Sequence, residues 1–287
     1  ISPIILKRIP VASPIFSSEE EIAVSAVIKS GWVTMGPKVK EFEEKFAEYT
    51  NSKYAIAMFN GTVTLHSALV ALGIGPEDEV IVPSLTYIST ANAVLYVGAK
   101  LVLCDSDSKT YNIDLEDIKK VITDKTKAII TVDMQGMPVN YDEIMVYARS
   151  KNITVISDSA ESIGATYNGA QIGSQADLHS FSFFGNKNIT TGEGGMITTN
   201  NESLMKKLKI IRNQGQEERY KHIMLGFNYR MTECQAALGI VQLNSLETRL
   251  NNKENIVKHY NEFFSKSEFI DPPVIPNYVT KHAWYMY

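Results

Sequence analysis

Tyr54-Ala55-Ile56-Ala57-Met58-Phe59-Asn60-Gly61-Thr62-Val63-Thr64-Leu65, continuing through Leu69 to Leu72, decides the fold class. Tyr54–Met58 reads as a buried strand, Asn60-Gly61-Thr62 as a turn, and Leu65, Leu69 and Leu72 as one face of a helix. The same alternation extends outward in both directions. Upstream, Ser17 and Ser18 precede three glutamates, a helix start whose acidic first turn suits the positive end of the dipole. A second helix follows Gly36-Pro37, with Val39, Phe42, Phe46 and Tyr49 at helical spacing. Downstream, short apolar runs recur at Val80–Val82, Leu101–Leu103, Ala128–Ile130 and Thr154–Ile156, with helix-like stretches around 87–97, 114–122 and 140–151. Strands alternating with helices predict right-handed crossovers, hence an α/β fold with a mainly parallel sheet flanked by helices on both faces. Beyond residue 177 the pattern turns strand-like, at 178–183 and 195–199. One long helical region then runs from near Thr232 to about residue 264. Pro272-Pro273 and Pro276 predict a loop, and His282–Tyr287 reads as a strand entering another domain, so the chain is expected to be incomplete at that end.

The 287 residues carry 28 Lys and Arg against 32 Asp and Glu, a formal charge of −4, with 44% hydrophobic and 21% charged residues. That composition excludes a disordered chain, and no apolar run is long enough to cross a bilayer as a helix. The mild acidity gives no electrostatic case for nucleic acid. Cys104 and Cys234 are too few for a disulfide framework. Residues 1–8 lack the order of a signal peptide, and a reduced, cytoplasmic enzyme is expected.

Three stretches carry chemistry. In Ser180-Phe181-Ser182-Phe183-Phe184-Gly185-Asn186-Lys187, followed by Asn188 to Gly195, a lysine lies between phenylalanines and a glycine-rich turn. It is either a solvated charge or a partly desolvated nucleophile suited to Schiff-base chemistry. No Gly-Lys-Ser/Thr ends a Walker A span, and no dinucleotide glycine fingerprint is complete. Asp158, in Ile156-Ser157-Asp158-Ser159-Ala160-Glu161, follows a buried-looking strand where open α/β sheets bind ligands. It either caps a helix or pairs with a cationic ligand atom such as a pyridinium nitrogen. Asn60-Gly61-Thr62 opens a helix whose free N–H groups suit a phosphate, and Ser182 adds a hydroxyl. An amine, a carboxylate, a donor-rich turn and an aromatic face, which Tyr87 supplies unless it is core, together suit pyridoxal 5′-phosphate.

These motifs, with Ser30-Gly31-Trp32, Gly36-Pro37, Gly75 through Pro83, Gly226-Phe227-Asn228-Tyr229-Arg230-Met231 and Gln235-Ala236-Ala237, resemble in order the DegT-type sugar aminotransferases of fold type I. Phe184–Lys187 and Trp284–Met286 most resemble the GDP-perosamine synthase branch. The resemblance implies a pyridoxal-phosphate-binding large domain over 1–245. A linker helix and the start of a truncated small C-terminal domain would cover 246–287. It implies that Lys187 forms the internal aldimine, that Asp158 pairs with the pyridine nitrogen, and that Glu161 lies beside the ring hydroxyl. Gly61, Thr62 and Ser182 would contact the phosphate, and Tyr87 would stack on the ring. Asn228 would reach the phosphate of a neighbouring subunit, implying a homodimer with shared sites. The implied reaction moves an amino group from an amino acid donor, L-glutamate, to a nucleotide-linked keto sugar, a 4-keto-6-deoxyhexose. A sugar-deoxygenating enzyme and a non-catalytic cofactor-binding regulator remain alternatives.

The chain departs from the family at Val132-Asp133-Met134-Gln135-Gly136, where many relatives have Val-His-Leu-Tyr-Gly, and at Ser157 and Ser159. Asp133 and Gln135 are expected to alter the sugar-side pocket. His66 and His179 lack a second ligand at metal spacing and read as ordinary histidines. Arg230 and His222 read as substrate contacts across a dimer or as ordinary salt-bridging residues. Trp32 reads as core or as a border of the sugar site.

Overall fold

The computed structural model describes residue 10 and residues 12–287, so the N-terminal octet lies outside it. The strands are β1 (Tyr54–Met58), β2 (Glu79–Pro83), β3 (Lys100–Cys104), β4 (Thr126–Val132), β5 (Thr154–Asp158), β6 (Thr166–Tyr167), β7 (Ala170–Gln171), β8 (Leu178–Ser182), β9 (Gly195–Thr199), β10 (Gln216–Glu218), β11 (Lys221–His222) and β12 (Val279–Lys281). The α-helices are α1 (Ser18–Ser30), α2 (Pro37–Tyr49), α3 (Gly61–Leu72), α4 (Ile88–Tyr96), α5 (Leu115–Val121), α6 (Tyr141–Ser150), α7 (Glu202–Arg212), α8 (Glu233–Asn244) and α9 (Leu246–Phe264). Seven strands form the central sheet in the order β1-β9-β8-β5-β4-β2-β3. The run from β3 to β8 is parallel. β9 is antiparallel to both β8 and β1.

Alternation within each strand divides the core. Ala55, Ala57, Ile81, Ile129 and Val155 pack on one face with Phe42, Phe46, Phe181 and Phe183. Ile56, Met58, Val80, Val82, Ile130 and Ile156 pack on the other with Leu65 and Leu69 of α3. A period of two with apolar side chains on both sides is what a sheet covered by helices on both faces requires. The parallel strands therefore end together, and the ends of β5 and β8 deliver Asp158 and Ser182 to one edge.

Local signals in the sequence set the helix starts. Ser17 caps α1 in a reciprocal box with Glu20, whose carboxylate accepts the Ser17 N–H at 2.7 Å. Asn60 caps α3, its side-chain oxygen accepting the Val63 N–H at 3.0 Å. The long helical region expected from 232 to 264 is instead two helices, interrupted at Ser245. The Ser245 hydroxyl bonds back to the Gln242 carbonyl at 3.1 Å, a competition with the helical ladder that bends such segments. Trp32 is 57% exposed and therefore not core. β12 pairs with β6, and the following residues fold back over the end of the central sheet, the Ala283 N–H donating to Gly136.

Candidate active site

A cleft of about 550 Å³ opens at that sheet edge. Gly61, Thr62, Tyr87, Asp158, Glu161, Ser182 and Lys187 all line it, so seven of the eight expected site residues share one cleft. Asn228 does not. It is exposed, and its backbone bridges to Asn213.

Lys187 leaves the β8–β9 connection with its backbone N–H on the Phe184 carbonyl, and its side chain is only 13% exposed. Its Nζ lies 3.5 Å from Glu161 Oε1 and 4.2 Å from the centre of the Tyr285 ring. The other Glu161 oxygen accepts the Gln135 N–H at 2.8 Å. Asp158 is buried, and no helix follows it. One of its oxygens accepts the Ala160 N–H at 3.2 Å and the other the Thr90 hydroxyl at 2.8 Å. Burial pushes its carboxyl up to about 6, against these two hydrogen bonds and the nearby Lys187 charge.

The α3 N-terminus forms the other end of the cleft. The Gly61 and Thr62 N–H groups belong to a first helical turn, which has no intrahelical partners. The Thr62 hydroxyl lies 2.8 Å from that of Ser89. A Cβ on Gly61 would stand 2.9 Å from Ser182 Cβ, so only glycine lets the turn close on that serine. Tyr87 precedes α4 and is 73% exposed, facing the cleft rather than the core.

Pyridoxal phosphate fits this donor set. A buried carboxylate, an amine, a helix N-terminus flanked by hydroxyls and a free aromatic face lie around one volume of suitable size. Each would meet a different part of that molecule.

Sequence reading missed several lining residues. Met134, Tyr285 and Met286 close the cleft from the 133–137 turn and the last residues of the chain. Thr90 was not singled out as the partner of Asp158. Asp133 corrects the expectation for the sugar-side pocket: it is fully buried and does not line the cleft. Its carboxyl turns inward and accepts from the Val139 N–H and from the hydroxyls of Tyr141, Ser159 and Ser162 at 2.6–3.0 Å. Gln135 also misses the cleft lining, while Met134 between them reaches it. Ser157 and Ser159, the other departures, join this cluster. So does His179: its Nε2 accepts the Ala176 N–H at 2.9 Å, which leaves Nδ1 to donate to Ser159. Burial lowers that imidazole to about 3, so it is neutral. Asp133→Ala strands four buried donors at once. It should cost about 3–5 kcal/mol, read as a lower denaturant midpoint at unchanged slope. A midpoint within error of wild type would refute the hub.

The other histidine, His66, is buried, with its Nδ1 3.1 Å from the Tyr229 hydroxyl. Arg230 bonds to Asn213, and His222 to the Gln214 carbonyl, and neither forms an ion pair with another described residue. No group of three or more potential metal ligands occurs among the described residues. No described helix is long and apolar enough to cross a membrane.

Comparison with known proteins identifies the family. GDP-perosamine synthase of Caulobacter vibrioides is 45% identical over 293 residues, covering 98% of this chain and 77% of that protein. The PMP form of Spr1654 from Streptococcus pneumoniae, a structure assigned to a sugar aminotransferase, superposes with a TM-score of 0.92 at 32% identity. It covers 98% of this chain and 76% of that one. A variant of ColD, GDP-4-keto-6-deoxymannose-3-dehydratase, with bound GDP-perosamine, gives 0.90 at 30% identity, with 96% and 77% covered. The DegT/DnrJ/EryC1/StrS aminotransferase family model matches residues 14–287, and this chain belongs to that family.

Proposed function

We propose that this aminotransferase moves an amino group from an amino acid to the keto carbon of a GDP-linked 4-keto-6-deoxyhexose, leaving a 2-oxo acid and a GDP-linked amino sugar. The amine of Lys187 beside the Glu161 carboxylate, in a cleft shared with Asp158, is the observation that carries amino transfer, and likeness to GDP-perosamine synthases supports the GDP-linked sugar. When bound, pyridoxal phosphate supplies an electrophilic aldehyde carbon and an electron-accepting ring.

In this reading Lys187 Nζ holds the aldehyde carbon. Once displaced by the donor, the same nitrogen carries the proton between the donor Cα and the cofactor as general base and acid. Asp158, when ionised, would pair with the ring nitrogen and keep it protonated. Thr90 and the Ala160 N–H hold the carboxylate's rotamer so that it meets the ring without reorganising. The N–H groups of Gly61 and Thr62 and the Ser182 hydroxyl bind the phosphate dianion. Tyr87 would cover one ring face, and Glu161 would lie beside the ring hydroxyl.

The donor is L-glutamate, the site of action is cytoplasmic, and the active unit is a homodimer. Its contact face includes α4 and the 220–229 segment. There Ile88, Leu95, Tyr96, Tyr220, Ile223 and Leu225 are exposed apolar side chains that such a contact would bury. Tyr96 and Phe227 both pack edge-on against His66, which sets the two segments on one side of the molecule. Asn228 lies within this face and supplies the phosphate contact to the partner. α9 serves as the linker helix, and the residues after it return to the cleft.

A panel of nucleotide-linked 3-keto and 4-keto sugars with glutamate, read by mass spectrometry, tests the substrate assignment. The expected result is an amino sugar from the GDP-linked 4-keto compound. A product that has lost oxygen without gaining nitrogen would instead favour the deoxygenating alternative.

A further inference from the structure

Resting on the role given to Lys187 above, we propose that Tyr285 is the positioning residue for the free amine of that lysine. Its ring face and the Glu161 carboxylate form a two-sided seat that keeps Nζ beside the reacting carbon while it is unbonded.

The two contacts are of an unusual kind. One is an ion pair at 3.5 Å and the other a cation–π contact at 4.2 Å. Neither demands the strict angles of a hydrogen bond, so Nζ can swing away and return without breaking a directed interaction. An amine that alternates between bonded and free states needs that kind of support.

The chain holds the ring there through constrained backbone. Gln135 and Trp284 have φ of +59° and +46°, and Gly136 has +98°. The Tyr285 N–H donates to the Gln135 carbonyl at 3.0 Å, while the Gln135 N–H donates to Glu161. One turn therefore sets both sides of the seat. A Cβ on Gly136 would meet the Glu161 carbonyl at 2.9 Å and the Tyr285 nitrogen at 3.1 Å, so glycine is required where the two segments touch. The residue next to the lysine is tied to the same segment. Asn188 donates to the Ala283 carbonyl at 2.9 Å, and Lys253 donates to both Asn188 and the Trp284 carbonyl. Left-handed non-glycine residues gathered at one contact mark a site where geometry is held at a cost. Burial and the Glu161 charge raise the Tyr285 phenol above its ordinary range, so the ring stays neutral.

Tyr285→Leu removes the ring face and Tyr285→Phe keeps it. In a single turnover of the cofactor-loaded protein with glutamate, the leucine variant should be slower by about threefold to thirtyfold, the range of a desolvated cation–π contact. Phenylalanine should restore most of that rate. In cofactor-free protein, acetic anhydride labelling of Lys187, read by peptide mass, should be about threefold faster in the leucine variant and return towards wild type with phenylalanine. Should leucine unfold the chain, Tyr285→Met repeats the test with a more adaptable side chain. Leucine matching wild type in both readouts, or phenylalanine behaving like leucine, would overturn the proposal. Borohydride trapping of the cofactor at Lys187 in every variant separates this test from the reading beneath it. If trapping fails everywhere, the lysine assignment falls rather than the seat.

Discussion

Lys187→Arg should abolish amino transfer, with a loss on the order of a thousandfold or more. Arginine keeps the positive charge opposite Glu161 but is not a nucleophile at neutral pH, and it cannot hand a proton back and forth. General acid–base help alone is worth about 10²–10⁴-fold, and covalent attachment adds to it. The ion pair with Glu161 survives the exchange in kind, so the fold should remain intact and the thermal midpoint should move little. Full amino transfer by this variant, with both half-reactions followed by absorbance, would remove the lysine from the mechanism. An inactive variant that had also lost its cooperative melt would have to be replaced by Lys187→Ala.

Asp158→Asn should lower the turnover rate by about 3 kcal/mol, roughly a hundredfold or more, the scale for losing a buried charge partner. Its effect on stability should have the opposite sign. A carboxyl held near 6 in the fold and about 3.9 unfolded binds its proton more tightly when folded. That contribution is complete below about pH 4 and is lost as pH rises through about 6. At pH 8 the cofactor-free chain therefore bears about 2–3 kcal/mol for an ionised, buried Asp158. Without the charge, asparagine keeps an oxygen for the Ala160 N–H and turns its NH2 to the Thr90 hydroxyl, which can accept it by donating to Thr86 instead. The cofactor-free variant should melt above wild type at pH 8 and close to it at pH 4, and pyridoxal phosphate should reverse the order at pH 8. Melting curves at the two pH values, with and without cofactor, check this. A variant less stable than wild type in every condition would show that the charge is already compensated within the protein. Such a trade of stability for function is expected where a site holds an unpaired charge for its ligand.

The features legible in the sequence are those fixed by short-range physics. The turn at Asn60-Gly61-Thr62, the strand ends carrying Asp158 and Ser182, and the lysine after the phenylalanines each announce themselves within a few residues. The parallel strand order turns local motifs into one cleft without further information. What sequence reading missed is set by distant pairing. Tyr285 reaches Lys187 only because Gln135 and Gly136 adopt left-handed backbone and bind the end of the chain. Nothing within either segment signals the other. The aromatic run His282–Tyr287, read as a departing strand, contained the available hint: Tyr285 and Met286 return to the cleft. Asp133 was misplaced because a departure from the family pattern marks the position without showing which way its carboxyl turns. The hydroxyls of Tyr141, Ser159 and Ser162 that turn it inward come from three separate positions. The helical region from about 232 to 264 was legible, while its one-residue interruption at Ser245, whose hydroxyl turns back to Gln242, was not.

The central claim is that one amine, and no other, bonds to the cofactor. Incubating the protein with pyridoxal phosphate, reducing with borohydride and mapping the peptides by mass tests it without any assumption about the sugar. The expected result is a single pyridoxyl adduct on the peptide containing Lys187, absent from Lys187→Arg. An adduct of equal yield on another lysine, or none at Lys187, would contradict the account.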